Sequence, residues 1–134
     1  MEITVTSLVK SSIERVWECR TVPEHIIHWN AASDDWHCPA AVNDLRVGGR
    51  FCYTMAARDG SVSFDFEGEY TDVDVHQRIC YSLGDARRIE ICFTSTPDGI
   101  LISETFDSEN VNSADLQRAG WQAILDRFAR YVVG

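Results

Sequence analysis

The sequence of 134 residues lacks a long apolar run and an excess of basic charge. Its 21 acidic residues outnumber its 12 lysines and arginines, which gives a net charge of -9. This charge argues against nucleic acid or an anionic membrane surface as a partner, because both attract basic proteins. No stretch is apolar for long enough to span a bilayer, and the start, MEITVTSLVK, lacks the basic and apolar segments of a secretion signal. We therefore expect a cytoplasmic protein.

The sequence also lacks the spaced cysteine pairs of disulfide and zinc motifs. Its five cysteines, at positions 19, 38, 52, 80 and 92, are odd in number and scattered. This pattern is typical of reduced thiols. His25, His28, His37 and Cys38 could be drawn as a zinc site, but their spacing matches no strong zinc motif. We expect no metal and no cofactor.

The length predicts a single domain over residues 1–134. Residues 2–10 alternate as a strand, and two short helical segments follow, with capping patterns at Ser11 and Thr21. Residues 30–41 show no regular period and are predicted to form an exposed loop. About six antiparallel strands follow, separated by turn residues. The segment from Asn112 or Ser113 onward returns to helical spacing and predicts one long final helix.

Two predicted hairpins place large aromatic residues on one face of the sheet. We centre one turn on Asp59-Gly60 and the other near Pro97-Asp98. The predicted pairs are Met55 with Phe64, Tyr53 with Phe66, Phe51 with Gly68, Phe93 with Ile102, Ile91 with Glu104, and Ile89 with Phe106. The sheet then has one wet face and one aromatic face, which only the last helix is long enough to cover. A curved sheet around one helix tends to leave a space between them.

The order of these elements, with the segments DLRVGGRF, ARDG, FDFEGEY and GWQAILDRF, resembles the START-like, helix-grip superfamily. Within it, the chain is similar over its full length to small bacterial members of the family of activator-of-heat-shock-protein-90-ATPase homologues. The resemblance implies an α+β fold of the order β-α-α-β6-α, with a cavity between the sheet and the C-terminal helix. Superfamily relatives bind lipids, sterols and polyketides in that cavity, and some are cyclases or hydrolases. The resemblance implies no shared set of catalytic residues.

Glu104 is the most informative polar residue, because the predicted register points its carboxyl group into the apolar face. A buried carboxylate is costly unless it is paired or neutral. It could therefore be a polar anchor or an acid–base group in a cavity, or it could form a structural pair with Arg46 or Tyr53. The segment SDDWHC at 33–38 offers His37 beside two aspartates, but no nucleophile motif accompanies it. We expect this segment to order a loop that closes one end of the cavity.

The leading hypothesis is a non-enzymatic protein that binds a small hydrophobic or aromatic ligand between the sheet and the final helix. One alternative is a cyclase- or hydrolase-like enzyme that uses Glu104 or His37. The other is an interaction module of the co-chaperone type, although nothing in the sequence itself supports a chaperone partner. The predicted ligand contacts are Trp29, Trp36, His37, Arg46, Phe51, Tyr53, Phe66, Tyr81, Phe93, Glu104 and Trp121.

Overall fold

The computed structural model describes all residues from Met1 to Gly134. Its elements are β1 (Glu2–Val9), α1 (Ile13–Thr21), α2 (Pro23–Trp29), β2 (Trp36–Asn43), β3 (Arg50–Ala57), β4 (Ser63–Asp74), β5 (Arg78–Leu83), β6 (Arg88–Thr96), β7 (Gly99–Asp107) and α3 (Ala114–Val133). The strands form one antiparallel sheet in the order β1-β7-β6-β5-β4-β3-β2. The predicted α+β, helix-grip order β-α-α-β6-α is confirmed.

Side chains at the helix starts explain where the helices begin. The Ser12 hydroxyl accepts a hydrogen bond from the Arg15 backbone, and the Ser113 hydroxyl accepts one from the Leu116 backbone. Each bond satisfies an amide of the first turn that has no partner within the helix. The cap of α1 therefore lies one residue after the predicted Ser11.

None of the three helices combines the length and the apolar composition that crossing a membrane requires.

The predicted registers of both hairpins are confirmed. Met55 pairs with Phe64 and Phe51 with Gly68 across β3 and β4, and Ile91 pairs with Glu104 across β6 and β7. At the first turn, Gly60 has a φ of 78°, a backbone conformation that glycine adopts without steric cost. Turn chemistry thus fixes which side chains share a face.

The predicted loop at 30–41 is wrong for its second half, because β2 begins at Trp36. This strand lies at the edge of the sheet, and its pairing with β3 shifts between His37 and Ala40. Pro39 falls inside the shift; a proline lacks a donor for the ladder and is tolerated at edges and bulges. The bulge removes the alternation by which a strand is recognised.

Helix α3 lies over one side of the concave face. Arg118 and Gln122 donate hydrogen bonds to the β1 carbonyls of Thr4 and Thr6, each at 2.9 Å. The Trp121 ring stacks on Phe106 of β7 with 4.1 Å between ring centroids. The sheet is therefore sealed on its β1–β7 side, whereas the β3–β4 side receives less cover.

Uneven cover corrects one prediction about burial. The prediction that the last helix covers the aromatic face implies that the residues on this face are largely inaccessible to water, and Phe51, Tyr53 and Met55 are buried. Phe64 was expected to be inaccessible too, but it is 52% exposed, and Phe66 is half-buried. These two rings share the concave face with the others, but only Phe66 contacts α3, through Trp121. They form the rim of an opening.

Candidate functional site

A cavity of ≈ 250 Å³ lies between the β3–β4 side of the concave face and the helices. Eight of its eleven lining residues are apolar, which is typical of ligand sites. The lining comes from both layers of the fold: Arg20 from α1, Trp29 and Asn30 from the end of α2, Tyr53 and Met55 from β3, Phe64 and Phe66 from β4, Tyr81 from β5, Glu104 from β7, and Trp121 and Ile124 from α3.

The aromatic wall of the cavity is held in place by contacts among its own rings. Phe66 meets Trp121 and Tyr81 edge to face, with centroids 6.2 and 6.3 Å apart. Trp29 packs edge to face on Phe128 at 4.9 Å. Edge-to-face pairs at such distances are favourable beyond simple burial. The wall is therefore formed before any ligand arrives.

Glu104 carries its carboxyl group into this apolar space. It lies between Val5 of β1 and Ile91 of β6, and the residue is only 9% exposed. Its side chain makes no hydrogen bond and no ion pair with the protein, and its oxygens are not fully enclosed by protein atoms. Burial raises the pKa of the Glu104 carboxyl, and the positive charge of Arg20 offsets part of that rise. The environment therefore favours the neutral acid.

Arg20, in the last turn of α1, is the only basic residue of the cavity. Its guanidinium lies 5.5 Å from the centre of the Trp29 ring, within the range of a cation–π contact. It makes no ion pair within 4.0 Å and no hydrogen bond with the protein. Burial alone would lower the pKa of Arg20, but the acidic groups of Tyr53, Tyr81 and Glu104 outweigh it, and the pKa is raised. Arg20 stays charged.

A hydrogen-bonded chain behind the cavity ties the end of α1 to the sheet. The Tyr70 hydroxyl donates to the side chain of Asn43, which donates in turn to the Thr21 carbonyl at 2.7 Å. Burial raises the pKa of Tyr70, so its phenol stays a neutral donor. Because Thr21 follows Arg20 directly, this chain fixes the backbone from which Arg20 extends.

Six of the predicted ligand contacts converge on the cavity: Trp29, Tyr53, Phe66, Tyr81, Glu104 and Trp121. They come from four strands and two helices that are distant in sequence. Their convergence follows from the registers, which the turns determine.

Arg46 lies outside the cavity. Its Nε donates to the Asp44 carboxylate at 2.9 Å, and both side chains are more than half exposed. The alternative pairing of Glu104 with Arg46 is therefore wrong, because a residue two positions away satisfies Arg46 locally.

Four aromatic or histidine side chains predicted as ligand contacts also lie outside the cavity. Trp36 and His37 belong to the edge strand β2, where Trp36 meets Phe64 at 5.9 Å beside the rim. Phe51 and Phe93 are buried behind the wall, against Tyr53 at 4.8 Å and Trp17 at 5.2 Å respectively. These two rings support the lining without reaching the space.

Arg20, Asn30 and Ile124 line the cavity and were not predicted to do so. Met55 and Phe64 also line it; they were placed on the right face but not among the ligand contacts. The sequence did contain a signal for Arg20. Positions 13, 16, 17 and 20 follow the spacing of one helical face, so Arg20 continues the stripe that Val16 and Trp17 bury.

Two histidines of the possible zinc site, His25 and His28, contact α3. His25 Nδ1 lies 2.6 Å from the Tyr131 hydroxyl, and the His28 ring stacks on the same tyrosine. No three His, Cys, Asp or Glu side chains are grouped so that they could hold a metal ion.

Comparison with known proteins identifies relatives of the whole chain. Residues 10–133 match the sequence profile of the family described as activator of Hsp90 ATPase homolog 1-like protein. The solution structure of an AHSA1-like protein from Aeromonas hydrophila is 45% identical, with a TM-score of 0.94, over 99% of this chain and 92% of that one.

A second similar solution structure, of a protein from Cytophaga hutchinsonii, is 50% identical with a TM-score of 0.85, over 97% of this chain and 90% of that one. A crystal structure of a protein from Chromobacterium violaceum shares the fold, with a TM-score of 0.87 at 21% identity, over 99% of this chain and 97% of that one. No protein with a curated function matches this chain.

Proposed function

The chain belongs to the family of activator of Hsp90 ATPase homolog 1-like proteins, within the START-like superfamily, and we propose that it binds one small, mainly aromatic molecule in the cavity. The observation that carries this proposal is the preformed aromatic cavity between the sheet and α3. Burial of an apolar ligand there stabilises the complex by about 25 cal/mol for each Å² of apolar surface that is removed from water. Little reorganisation of the wall is needed, because its rings already support one another.

The volume limits the size of the ligand. An engineered apolar cavity of about 150 Å³ holds benzene. A volume of ≈ 250 Å³ therefore accommodates one or two fused rings with a small substituent. A sterol or an extended lipid chain would have to protrude past Phe64 at the rim.

The lining favours binding over catalysis. It contains no serine, cysteine or histidine side chain, and His37 lies elsewhere. The acid–base chemistry of a cyclase or hydrolase would have to come from Glu104, Tyr53 and Tyr81, and Glu104 makes no hydrogen bond to either tyrosine that would position such a pair. The family description refers to activation of a chaperone ATPase, but a purely surface-mediated role would not require an aromatic cavity of this size.

We also place this function in the cytoplasm. All five cysteines are free thiols, and three of them are buried in the fold. Thiols in this state suit a reducing compartment.

Ligand binding is tested by titrating the protein with 2-naphthamide, a neutral two-ring probe, and recording backbone NMR spectra at each step. We expect saturable shifts confined to the residues that line the cavity. Ile124→Phe places a ring in the cavity and should abolish these shifts. Leu116→Phe, at a position of α3 that is 59% exposed, is the matched control and should leave them intact.

Two results would contradict the proposal. One is the absence of any saturable shift at cavity residues in the folded wild-type protein. The other is binding that survives Ile124→Phe unchanged, because the probe would then occupy a different site. Native mass spectrometry of the protein purified from its own host would identify the natural occupant.

A further inference from the structure

Two side chains of opposite charge line the cavity but do not pair with each other. Arg20 and Glu104 both line the space, yet no ion pair joins them within 4.0 Å, and neither makes a side-chain hydrogen bond to the protein. Glu104 is more than nine-tenths buried. Native proteins seldom leave buried polar groups unpartnered, because desolvation without compensation is costly. The two groups are therefore available to a third molecule.

The two groups differ in whether their charge depends on pH. A guanidinium is not deprotonated in proteins, so Arg20 is positive at any working pH. A carboxyl group can become neutral by binding a proton, and burial raises the pKa of Glu104 in that direction. The lasting charge of the cavity is thus positive.

Resting on the ligand-binding function proposed above, we propose that the ligand is an aromatic carboxylate whose carboxylate group binds the Arg20 guanidinium while its rings pack among Trp29, Phe66 and Trp121. A guanidinium can bind both oxygens of a planar carboxylate in parallel, and such bonds are among the strongest in proteins. The ligand would supply the partner that Arg20 lacks.

The surroundings of Arg20 suit an anion at this point. The guanidinium lies over the Trp29 ring, and none of its N–H groups donates to the protein, so they are free to donate to a ligand. The Tyr81 hydroxyl makes no hydrogen bond to the protein, and burial raises the pKa of Tyr81 so that it remains a neutral donor. When it holds its proton, Glu104 adds a third donor. The cavity therefore presents donors to an acceptor-rich group.

A cationic ligand fits less well. An amine held by ionised Glu104 would lie in the same cavity as Arg20, so the apolar space would hold two positive charges that repel each other and only one negative charge. An uncharged ligand would leave Arg20 without a partner. Both possibilities are outcomes of the test below.

The test compares three probes of one shape: 2-naphthoate, neutral 2-naphthamide and cationic 2-naphthylmethylamine. Their affinities are measured by calorimetry at pH 7 on the wild-type protein, Arg20→Gln, Arg20→Lys and Arg46→Gln. We expect 2-naphthoate to bind at least about 10-fold more tightly than 2-naphthamide, as a charge-assisted hydrogen-bonded pair does. Arg20→Gln should remove this preference and keep amide binding, while Arg20→Lys should retain part of it.

Arg46→Gln is the matched control, because it removes a positive charge at an exposed position outside the cavity. It should leave all three affinities unchanged. A preference for naphthoate that falls equally in Arg20→Gln and Arg46→Gln would reflect net charge alone and would overturn the inference.

The remaining outcomes separate this inference from the function on which it rests. Equal binding of naphthoate and naphthamide, or tighter binding of the amine, overturns the carboxylate assignment and leaves ligand binding intact. Failure of all three probes to bind the wild-type cavity overturns both. Because the three probes are compared on the wild-type protein first, the result stands even if Arg20→Gln does not fold.

Discussion

The concave face of the sheet has two halves with the same alternation of inward residues but different cover. On the β1–β7–β6 half, the inward residues Ile3, Ile91 and Phe106 are almost completely buried. On the β3–β4 half, most of the inward residues are aromatic, and Phe66 and Phe64 become progressively more exposed toward the turn. Helix α3 runs along β1, so the first half becomes core and the second half becomes cavity wall. The position of one helix, and not the strand pattern, decides which half can bind.

The largest expected difference between the halves is in stability. Phe106→Ala should lower the free energy of unfolding by about 3–5 kcal/mol, because it empties a filled core site. Phe66→Ala should lower it by about 1–2 kcal/mol, because that ring is only partly buried and already borders a cavity. Urea unfolding of both variants measures the difference. Equal losses would show that the cavity wall is as tightly packed as the core.

A smaller effect is expected where the backbone of the aromatic half approaches a ring. A Cβ at Gly68 would lie 2.7 Å from the Ser82 carbonyl oxygen and 3.0 Å from the Phe51 ring. Gly68→Ala should therefore destabilise the protein by about 1–3 kcal/mol through overpacking. Gly84→Ala is the control, because nothing lies within 4 Å of a Cβ there. A neutral Gly68→Ala would mean that β4 and the Phe51 ring shift freely.

The smallest effect concerns the one acidic residue shared by both halves, Glu104. Because its folded pKa lies above the unfolded value, the folded state holds the proton longer, and wild-type stability falls as pH rises above the ordinary carboxyl pKa near 4.5. The titratable groups that face it are Arg20 and Tyr81, which line the same cavity. Relative to wild type, Glu104→Gln should gain up to about 1.4 kcal/mol over one pH unit in this range.

Chemical denaturation of wild type and Glu104→Gln at pH 5 and pH 6 measures this gain, and all other titrating groups cancel in the comparison. A difference that does not change with pH would show that Glu104 ionises normally. The neutral acid would then no longer support an anionic ligand beside Arg20.

The sequence was sufficient for the hairpins because glycine and aspartate at the turns determine the register, and the register determines each face. The inward position of Glu104 followed from this alone. The strand β2 could not be recognised, because its bulge and Pro39 break the alternation. The partner of Arg46 was misjudged because a loop residue, Asp44, satisfies it locally.

The role of Arg20 depends on tertiary structure. Helical spacing places it on the buried face of α1, but only tertiary packing brings it into one cavity with Tyr53 and Tyr81. The exposure of Phe64 likewise depends on tertiary structure, because it is set by where α3 passes over the sheet. Local patterns determine faces, and the packing of helices on the sheet determines which parts of a face stay open.

The placement of the tryptophans allows the intrinsic fluorescence of the protein to report whether the cavity is occupied. Two of the four, Trp29 and Trp121, border the cavity, while Trp17 and Trp36 lie outside it. Indole emission responds to the polarity around the ring. A ligand that displaces water from the cavity therefore changes the emission of Trp29 and Trp121, while the emission of the other two tryptophans stays constant. Because Arg20 lies over Trp29, a ligand that neutralises this charge also alters the field at that ring. The colour of the protein's fluorescence would then report both that the cavity is filled and whether its occupant carries a negative charge.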